Sequence, residues 1–271
     1  MSDIALHSAG RPEGIPLVLL PAFPLDGRMF RGVRQHLDGW VITSDPPGFG
    51  DSAAPAAVAT HLGDSSVPAL ETWARGLARA LDEAGAGRIV LAGVSIGGYT
   101  TMAFAELYPE RLAGIGLLDT RASADDLEMR EYRIRMAEAM TSDSAPGRYL
   151  APLLENVVSP VTRLEREPLH DQLAEWFEQA SPAAIAWAQR AMAARPDRLE
   201  VLRRLRIPAL VLRGVDDHVS GAEQAEAMAE ALGTTVVEIP RAGHMAAVEN
   251  PEPVAAALRD LWDRARAATQ D

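Results

Sequence analysis

The residue type and spacing with the clearest chemical meaning in this chain is a serine at position 95, in Gly93-Val94-Ser95-Ile96-Gly97-Gly98. The apolar run Ile89-Val90-Leu91-Ala92 precedes it, and a stretch of helical character follows. A serine between a buried strand and a helix sits on a sharp, strained turn. Small residues at 93 and 97 relieve the crowding of such a turn and leave the hydroxyl exposed at the sheet's edge, where it can act as a nucleophile. The bland alternative is a helix N-cap serine. Gly-x-Ser-x-Gly is a weak pattern in a chain with 21 glycines, and it gains its weight from the strand before and the helix after.

A serine hydroxyl is almost wholly protonated at neutral pH, so it needs a base, and histidine supplies one with the least perturbation. The six histidines are His7, His36, His61, His170, His218 and His244. His244 stands out because Pro240-Arg241-Ala242-Gly243-His244-Met245 is a glycine-containing loop directly after an apolar run. His36 and His170 fall in helical patterns, His7 in the N-terminal segment and His61 in a loop, where surface or structural roles are expected. His218 is a rival by position only. The imidazole must be held in one tautomer and its cation stabilised, which calls for a carboxylate on its other nitrogen. Asp216 and Asp217 are adjacent candidates in Arg213-Gly214-Val215-Asp216-Asp217-His218, and spacing alone does not separate them. Asp119, after Gly116-Leu117-Leu118, ends another apolar run and stands in reserve, or else marks a hinge.

Attack on a carbonyl creates an oxyanion, stabilised by preorganised backbone N–H groups. One donor is expected at Ile96, at a helix N-terminus. The second is expected from Leu20-Pro21-Ala22-Phe23-Pro24-Leu25, where Pro21 and Pro24 have no N–H and Ala22 or Phe23 must donate. Phe23 is preferred because its ring would also line the pocket. Leu25, Trp187, Val219 and Met245 are further expected substrate contacts. No metal site is expected, since no His-x-x-x-His pair or carboxylate cluster has ligand spacing.

These residues need elements that bring them together. Apolar runs at 17–20, 41–43, 89–92, 115–118, 209–212 and 236–239 read as strands, alternating with amphipathic stretches at 29–37, 69–84, 99–108, 221–232 and 253–268 that read as helices. That alternation predicts an α/β fold with a mostly parallel twisted sheet flanked by helices, and ligands bind beyond the carboxyl ends of such strands. Residues 122–206 read as entirely helical, with Met129, Tyr132, Met136, Leu153, Trp187 and Met192 among their apolar members. They are expected to form an inserted helical cap on a core made of 1–121 and 207–271. The Ala-, Pro- and Ser-rich segment 53–67 and the segment 121–126 read as loops, the latter marking the cap entrance.

Composition narrows the partners. With 26 basic and 38 acidic residues the formal net charge is −12, which argues against nucleic acid or an anionic membrane surface. The chain of 271 residues has no cysteine, so the nucleophile is an oxygen and thiolate metal sites are excluded. No window reaches the length of a transmembrane span, and the first residues lack the basic start and apolar run of a secretory signal, so a cytoplasmic location is expected.

Four motifs in one order resemble the α/β-hydrolase fold superfamily, in its cap-bearing branch of esterases, enol-lactonases, C–C bond hydrolases and cofactor-free haloperoxidase-like enzymes. Gly93 to Gly98 resembles the nucleophile elbow, Asp45-Pro46-Pro47-Gly48-Phe49-Gly50-Asp51-Ser52 the loop after an earlier strand, Gly214 to Asp217 the acid turn, and Gly243-His244-Met245 with Glu249-Asn250-Pro251 the histidine loop. The resemblance favours Asp217 over Asp216 as the acid and implies a triad of Ser95, Asp217 and His244. It implies no cofactor and a small or medium apolar ester or lactone as substrate. C–C bond cleavage, haloperoxidase-like or perhydrolase-like chemistry on the same triad, or a non-catalytic ligand-binding role on the same scaffold, are the alternatives. One departure is local: relatives carry His-Gly where this chain has Pro21-Ala22.

Overall fold

The computed structural model describes residues 3–64, 67–142 and 147–269. Strand β1 (Leu6–Ala9) is followed by β2 (Leu17–Leu20), a 3-10 turn (Gly27–Phe30) leading into the single-turn α1 (Arg31–Arg34), and β3 (Val41–Ser44). Next come α2 (Pro55–Leu62), α3 (Leu70–Glu83), β4 (Ile89–Val94), α4 (Ile96–Leu107) and β5 (Leu112–Leu118). Among the described residues, six helices then intervene: α5 (Leu127–Ser142), α6 (Gly147–Val157), α7 (Pro160–Glu165), α8 (Glu167–Glu178), α9 (Pro182–Ala194) and α10 (Leu199–Arg204). The chain returns through β6 (Ala209–Gly214), α11 (Ala222–Leu232), β7 (Val236–Ile239), the short α12 (Ala246–Glu249) and α13 (Pro251–Ala267).

The strands form one seven-stranded sheet in the order β1-β3-β2-β4-β5-β6-β7. Only β1 runs antiparallel, against β3. The central strands β4, Ile-Val-Leu-Ala-Gly-Val, and β5, Leu-Ala-Gly-Ile-Gly-Leu-Leu, are buried at every position, as a parallel sheet covered on both faces requires. Helix α3 shows how the cover is built: Leu70, Trp73, Ala74, Leu77 and Leu81 recur at helical spacing and are all buried, while Arg75 and Arg79 stay outside that stripe. Fully burying a side chain the size of Leu77 contributes about 2 kcal/mol. Among the described residues, no helix is long and apolar enough to cross a membrane.

The fold is α/β, with a mostly parallel sheet flanked by helices. It departs from the sequence expectation at four places. Strand β1 was not expected, because Leu-His-Ser-Ala lacks an apolar run; it is an edge strand held by pairing Leu6 to Ser44 and Ala9 to Val41. Helix α2 lies inside the segment expected to be a loop, opened by Pro55 in its first turn and closed by Gly63 at φ 69°. The helix expected at 29–37 is reduced to the 3-10 turn and α1, because the Asp26 side chain accepts the Arg28 N–H and Asp45 accepts the Gly27 N–H, fixing a tight turn there. Helix α4 begins at Ile96, not Tyr99, directly after Ser95.

Candidate active site

Strands β4, β6 and β7 deliver three side chains to one edge of the sheet. Ser95 follows the last residue of β4, Asp217 lies three residues beyond β6, and His244 lies five beyond β7. Ser95 has φ 54° and ψ −115°, a region that non-glycine residues occupy only when their surroundings over-determine them. Here the Ser95 N–H donates to Leu118 O at 3.0 Å, and its carbonyl accepts from Tyr99 N–H at 3.1 Å and Thr120 Oγ1 at 2.8 Å. A Cβ on Gly93 would lie 2.2 Å from the Gly97 carbonyl, and a Cβ on Gly97 would lie 2.3 Å from Leu20 O. The turn therefore closes only with glycine at both positions. Ser95 occupies the N-cap position of α4 but makes no capping bond with its side chain.

The hydroxyl is turned to His244 instead. Ser95 Oγ lies 2.9 Å from His244 Nε2, and His244 Nδ1 lies 3.1 Å from Asp217 Oδ1 and 3.2 Å from Ser220 Oγ. Asp217 Oδ1 also accepts the N–H groups of Val219 at 2.8 Å and Ser220 at 3.1 Å. Burial alone would raise the Asp217 carboxyl, but the charge of His244 and the hydrogen bonds from His244 and Ser220 outweigh it and hold the carboxyl well below the usual carboxylate range. Asp217 and His244 are both buried, whereas Asp216 is half-buried and His218 exposed. Among the other histidines, His7 meets Asp45, His61 meets Asp3 and His170 meets Glu155, all away from Ser95.

Asp119 does not reach the imidazole. Its Oδ1 accepts the Gly214 N–H at 2.7 Å and its Oδ2 the Ala246 N–H at 3.3 Å, so it ties the acid turn to the histidine loop. Burial, reinforced by the charge of Asp217, raises its carboxyl well above the usual range against the two N–H donors. The two loops also touch directly: a Cβ on Gly214 would lie 2.1 Å from Gly243 O, and Asp216 N–H donates to Ala242 O at 2.9 Å. Glu249 holds the loop from the other side. It accepts Gly243 N–H at 2.8 Å, and also Ser159 N–H at 2.8 Å and Thr162 Oγ1 at 2.6 Å from the inserted helices.

Two backbone N–H groups near Ser95 are without a hydrogen-bond partner among the described residues. Ala22 N–H is committed to Met29 Sδ at 3.1 Å, while the N–H groups of Phe23 and of Ile96, the first residue of α4, make no hydrogen bond among the described residues. The free N–H in the 20–25 loop is thus at Phe23, and the Leu20 and Pro21 carbonyls of the same loop lie against Gly97 in the first turn of α4.

The cavity over Ser95 holds about 130 Å³, close to the ~150 Å³ hollow that admits a benzene ring. Phe23, Ser95, Val219 and His244 line it from the sheet side. Leu25 and Met245 do not: both are buried in the core behind the loops that carry them. Trp187 does not either. It lines a separate groove with Ala183, Ala186 and Arg190 against Pro55 and Ala59 of α2, while Gln189 and Met192 on another face of α9 reach the cavity. The wall that sequence reasoning missed comes from α5, where Met129, Tyr132, Arg133 and Met136 recur at i, i+3, i+4 and i+7 and present one face to the cavity. That spacing was the available signal. His7, Asp45 and Asp51 bring potential metal ligands within 4.8 Å of one another, a grouping their sequence separation hides. Asp45 already accepts from His7 and from the N–H groups of Gly27 and Asp51, which accounts for the cluster as a loop clamp.

The chain is similar throughout to proteins of one family. The model of the alpha/beta hydrolase family matches residues 17–257. The 2-succinyl-6-hydroxy-2,4-cyclohexadiene-1-carboxylate synthase of Enterobacter sp. (strain 638) is 30% identical over 262 residues, covering 93% of each chain. The 3-oxoadipate enol-lactonase 2 of Acinetobacter baylyi is 25% identical over 230 residues, 83% of this chain and 79% of that one. Among solved structures, a malate-bound thermophilic esterase from Thermogutta terrifontis superposes with a TM-score of 0.88 at 34% identity, over 97% of this chain and 94% of the other. With its seven-stranded sheet and with Ser95 on the strained turn after β4, the chain belongs to the alpha/beta hydrolase family.

Proposed function

We propose that the protein is a serine hydrolase that cleaves a small ester or lactone through an acyl-enzyme. The observation that carries this reading is the unbroken contact chain from Ser95 Oγ to His244 Nε2 at 2.9 Å and from His244 Nδ1 to Asp217 Oδ1 at 3.1 Å. With the imidazole proton on Nδ1, facing the carboxylate, Nε2 offers its lone pair to the serine hydroxyl. Ser95 Oγ attacks the carbonyl carbon as its proton passes to Nε2, and the carboxylate of Asp217 stabilises the imidazolium that results. The oxyanion is received by the N–H groups of Phe23 and Ile96, each worth about 3 kcal/mol of barrier. Collapse expels the alcohol, which takes the proton from Nε2. Water, deprotonated by the same nitrogen, then attacks the acyl-enzyme and restores Ser95.

The hydrolysis of ester-type bonds named for the enol-lactonase and esterase relatives supports the choice of bond, and the cavity of about 130 Å³ supports a small acyl group. Residues 122–206 serve as a cap in this reading, since α5, α6 and α9 supply one wall of the cavity and the sheet loops the other. The test is 4-nitrophenyl acetate hydrolysis by wild type and by Ser95→Ala, with labelling by a fluorophosphonate. Turnover and labelling by wild type, both lost in the folded variant, support the reading. Undiminished turnover by Ser95→Ala sinks it.

A further inference from the structure

The cavity over Ser95 is cationic in a chain of net charge −12: its lining includes Arg121 and Arg133 and, among the described residues, no carboxylate. Arg133 is neutralised in place, its Nε 2.6 Å from Asp125 Oδ2 and its Nη1 3.2 Å from Gln189 Oε1. The same Asp125 also holds Arg195 at 2.7 and 2.8 Å, so one carboxylate answers two guanidinium groups. Arg121 has no such partner. Among the described residues its single hydrogen bond is from Nη2 to Val219 O at 3.1 Å and no carboxylate lies within ion-pair distance, and its Nε, like those of Arg195 and Arg213, is buried with nothing to donate to. A buried guanidinium N–H without an acceptor is unfavourable, and the group's fork of donors matches a carboxylate.

The position of Arg121 couples it to the reacting centre. The residue before it, Thr120, donates to the Ser95 carbonyl at 2.8 Å, and Val219, which receives Nη2, donates its own N–H to Asp217 Oδ1 at 2.8 Å. Arg121 therefore lines the same small cavity as Ser95, Val219 and His244, beside the nucleophile and the acid loop.

Resting on the hydrolase reading above and narrowing it, we infer that the substrate carries a carboxylate a few carbons from the scissile carbonyl and that Arg121 binds that carboxylate. Arg121 is a specificity determinant: it selects anionic acyl groups over neutral ones of equal size. This replaces the wholly apolar substrate body expected from sequence with one that is apolar along its chain and charged at its end.

The test compares kcat/KM for 4-nitrophenyl hemiglutarate and for its neutral methyl ester in wild type, Arg121→Gln and Arg121→Lys. Wild type prefers the charged ester at least tenfold, Arg121→Gln loses that preference through KM, and Arg121→Lys recovers part of it. A merely structural arginine would lower both esters together and leave their ratio unchanged, which overturns the inference, as does a wild-type preference for the neutral ester. A calorimetric titration with free glutarate reads the anion site without turnover: binding by wild type that weakens at least tenfold in Arg121→Gln supports it, and no binding by wild type overturns it. If wild type hydrolyses neither ester yet binds glutarate through Arg121, the hydrolase reading fails while the carboxylate site stands.

Discussion

Glu249 Oε2 accepts the backbone N–H of Ser159 at 2.8 Å, joining the loop that carries His244 to the helices inserted between β5 and β6. The same carboxylate takes Gly243 N–H on its other oxygen and the Thr162 hydroxyl at 2.6 Å, all at a buried position. Removing an acceptor from several buried donors at once costs more than any one bond contributes, because each donor keeps its desolvation penalty. Glu249→Ala is expected to destabilise the fold by about 3 kcal/mol, seen as a Tm fall of roughly 8 °C. Since Gly243 adjoins His244, kcat on a neutral aryl ester falls with it, by about tenfold. A variant that melts with wild type would show that this carboxylate does not join the two units.

Asp119 and Asp217 follow neighbouring strands, β5 and β6, but serve different atoms, and their variants separate them. Asp217→Ala removes the partner of His244 Nδ1, so kcat drops by about 10⁴-fold, as expected when an imidazole loses its orienting acid. Asp119→Ala leaves the N–H groups of Gly214 and Ala246 unpaired and costs about 2 kcal/mol of stability, with a smaller loss of turnover. Measured below the melting range of both variants, a kcat loss for Asp119→Ala equal to that of Asp217→Ala would make Asp119 the acid.

Gly97 is a position where added volume has nowhere to go. Its Cβ would meet Leu20 O at 2.3 Å and Pro21 O at 2.8 Å, both backbone atoms of the loop that carries Phe23. Gly97→Ala therefore displaces that loop, and we expect at least a hundredfold loss in kcat, comparable to losing one oxyanion donor. Gly87→Ala is the control: a Cβ there would meet nothing within 4 Å. Equal kcat for Gly97→Ala and wild type would remove the proposed link between the elbow and the Phe23 N–H.

The centre of the sheet was legible because burial on both faces demands uninterrupted apolar runs, which β2, β4, β5 and the first four residues of β6 supply, while β3 and the half-buried edge strand β7 carry shorter ones. Edge strand β1 was not, since Leu6, His7 and Ser8 carry no such run and their structure comes from pairing with β3. Ser95 and His244 were legible because each follows a strand in a glycine-marked loop. The assignment between Asp216 and Asp217 needed family resemblance, for what separates them is which side chain the turn after β6 turns inward. Trp187 misled because aromatic size says nothing of direction; on α9, two residues along the chain point to nearly opposite sides, and Gln189 took the place expected of the tryptophan. Arg121 went unnoticed because an arginine becomes informative only when its surroundings are seen to lack a counter-charge.

The two buried carboxyls should leave opposite marks on stability against pH. Asp217 is held below its unfolded value of about 3.9, so it stabilises the fold above that pH, and the contribution drains away as pH falls towards the folded value. In that window the unfolded chain binds the proton and the folded one does not. Asp119, raised well above its unfolded value, reverses the sign: the folded chain keeps the proton, and stability is lost as pH rises from about 4. Urea unfolding at pH 3, 4.5, 6 and 7.5 on wild type, Asp217→Asn and Asp119→Asn tests both. Any packing offset of either asparagine is the same at every pH, so the titration is read from how the offset changes. Relative to Asp217→Asn, wild type should lose roughly 1 kcal/mol between pH 4.5 and 3. Relative to Asp119→Asn, it should lose ground between pH 4.5 and 6. A wild-type advantage over Asp119→Asn that grows with pH would mean that the carboxyl ionises readily where it stands, with the Gly214 and Ala246 N–H groups outweighing burial and the charge of Asp217.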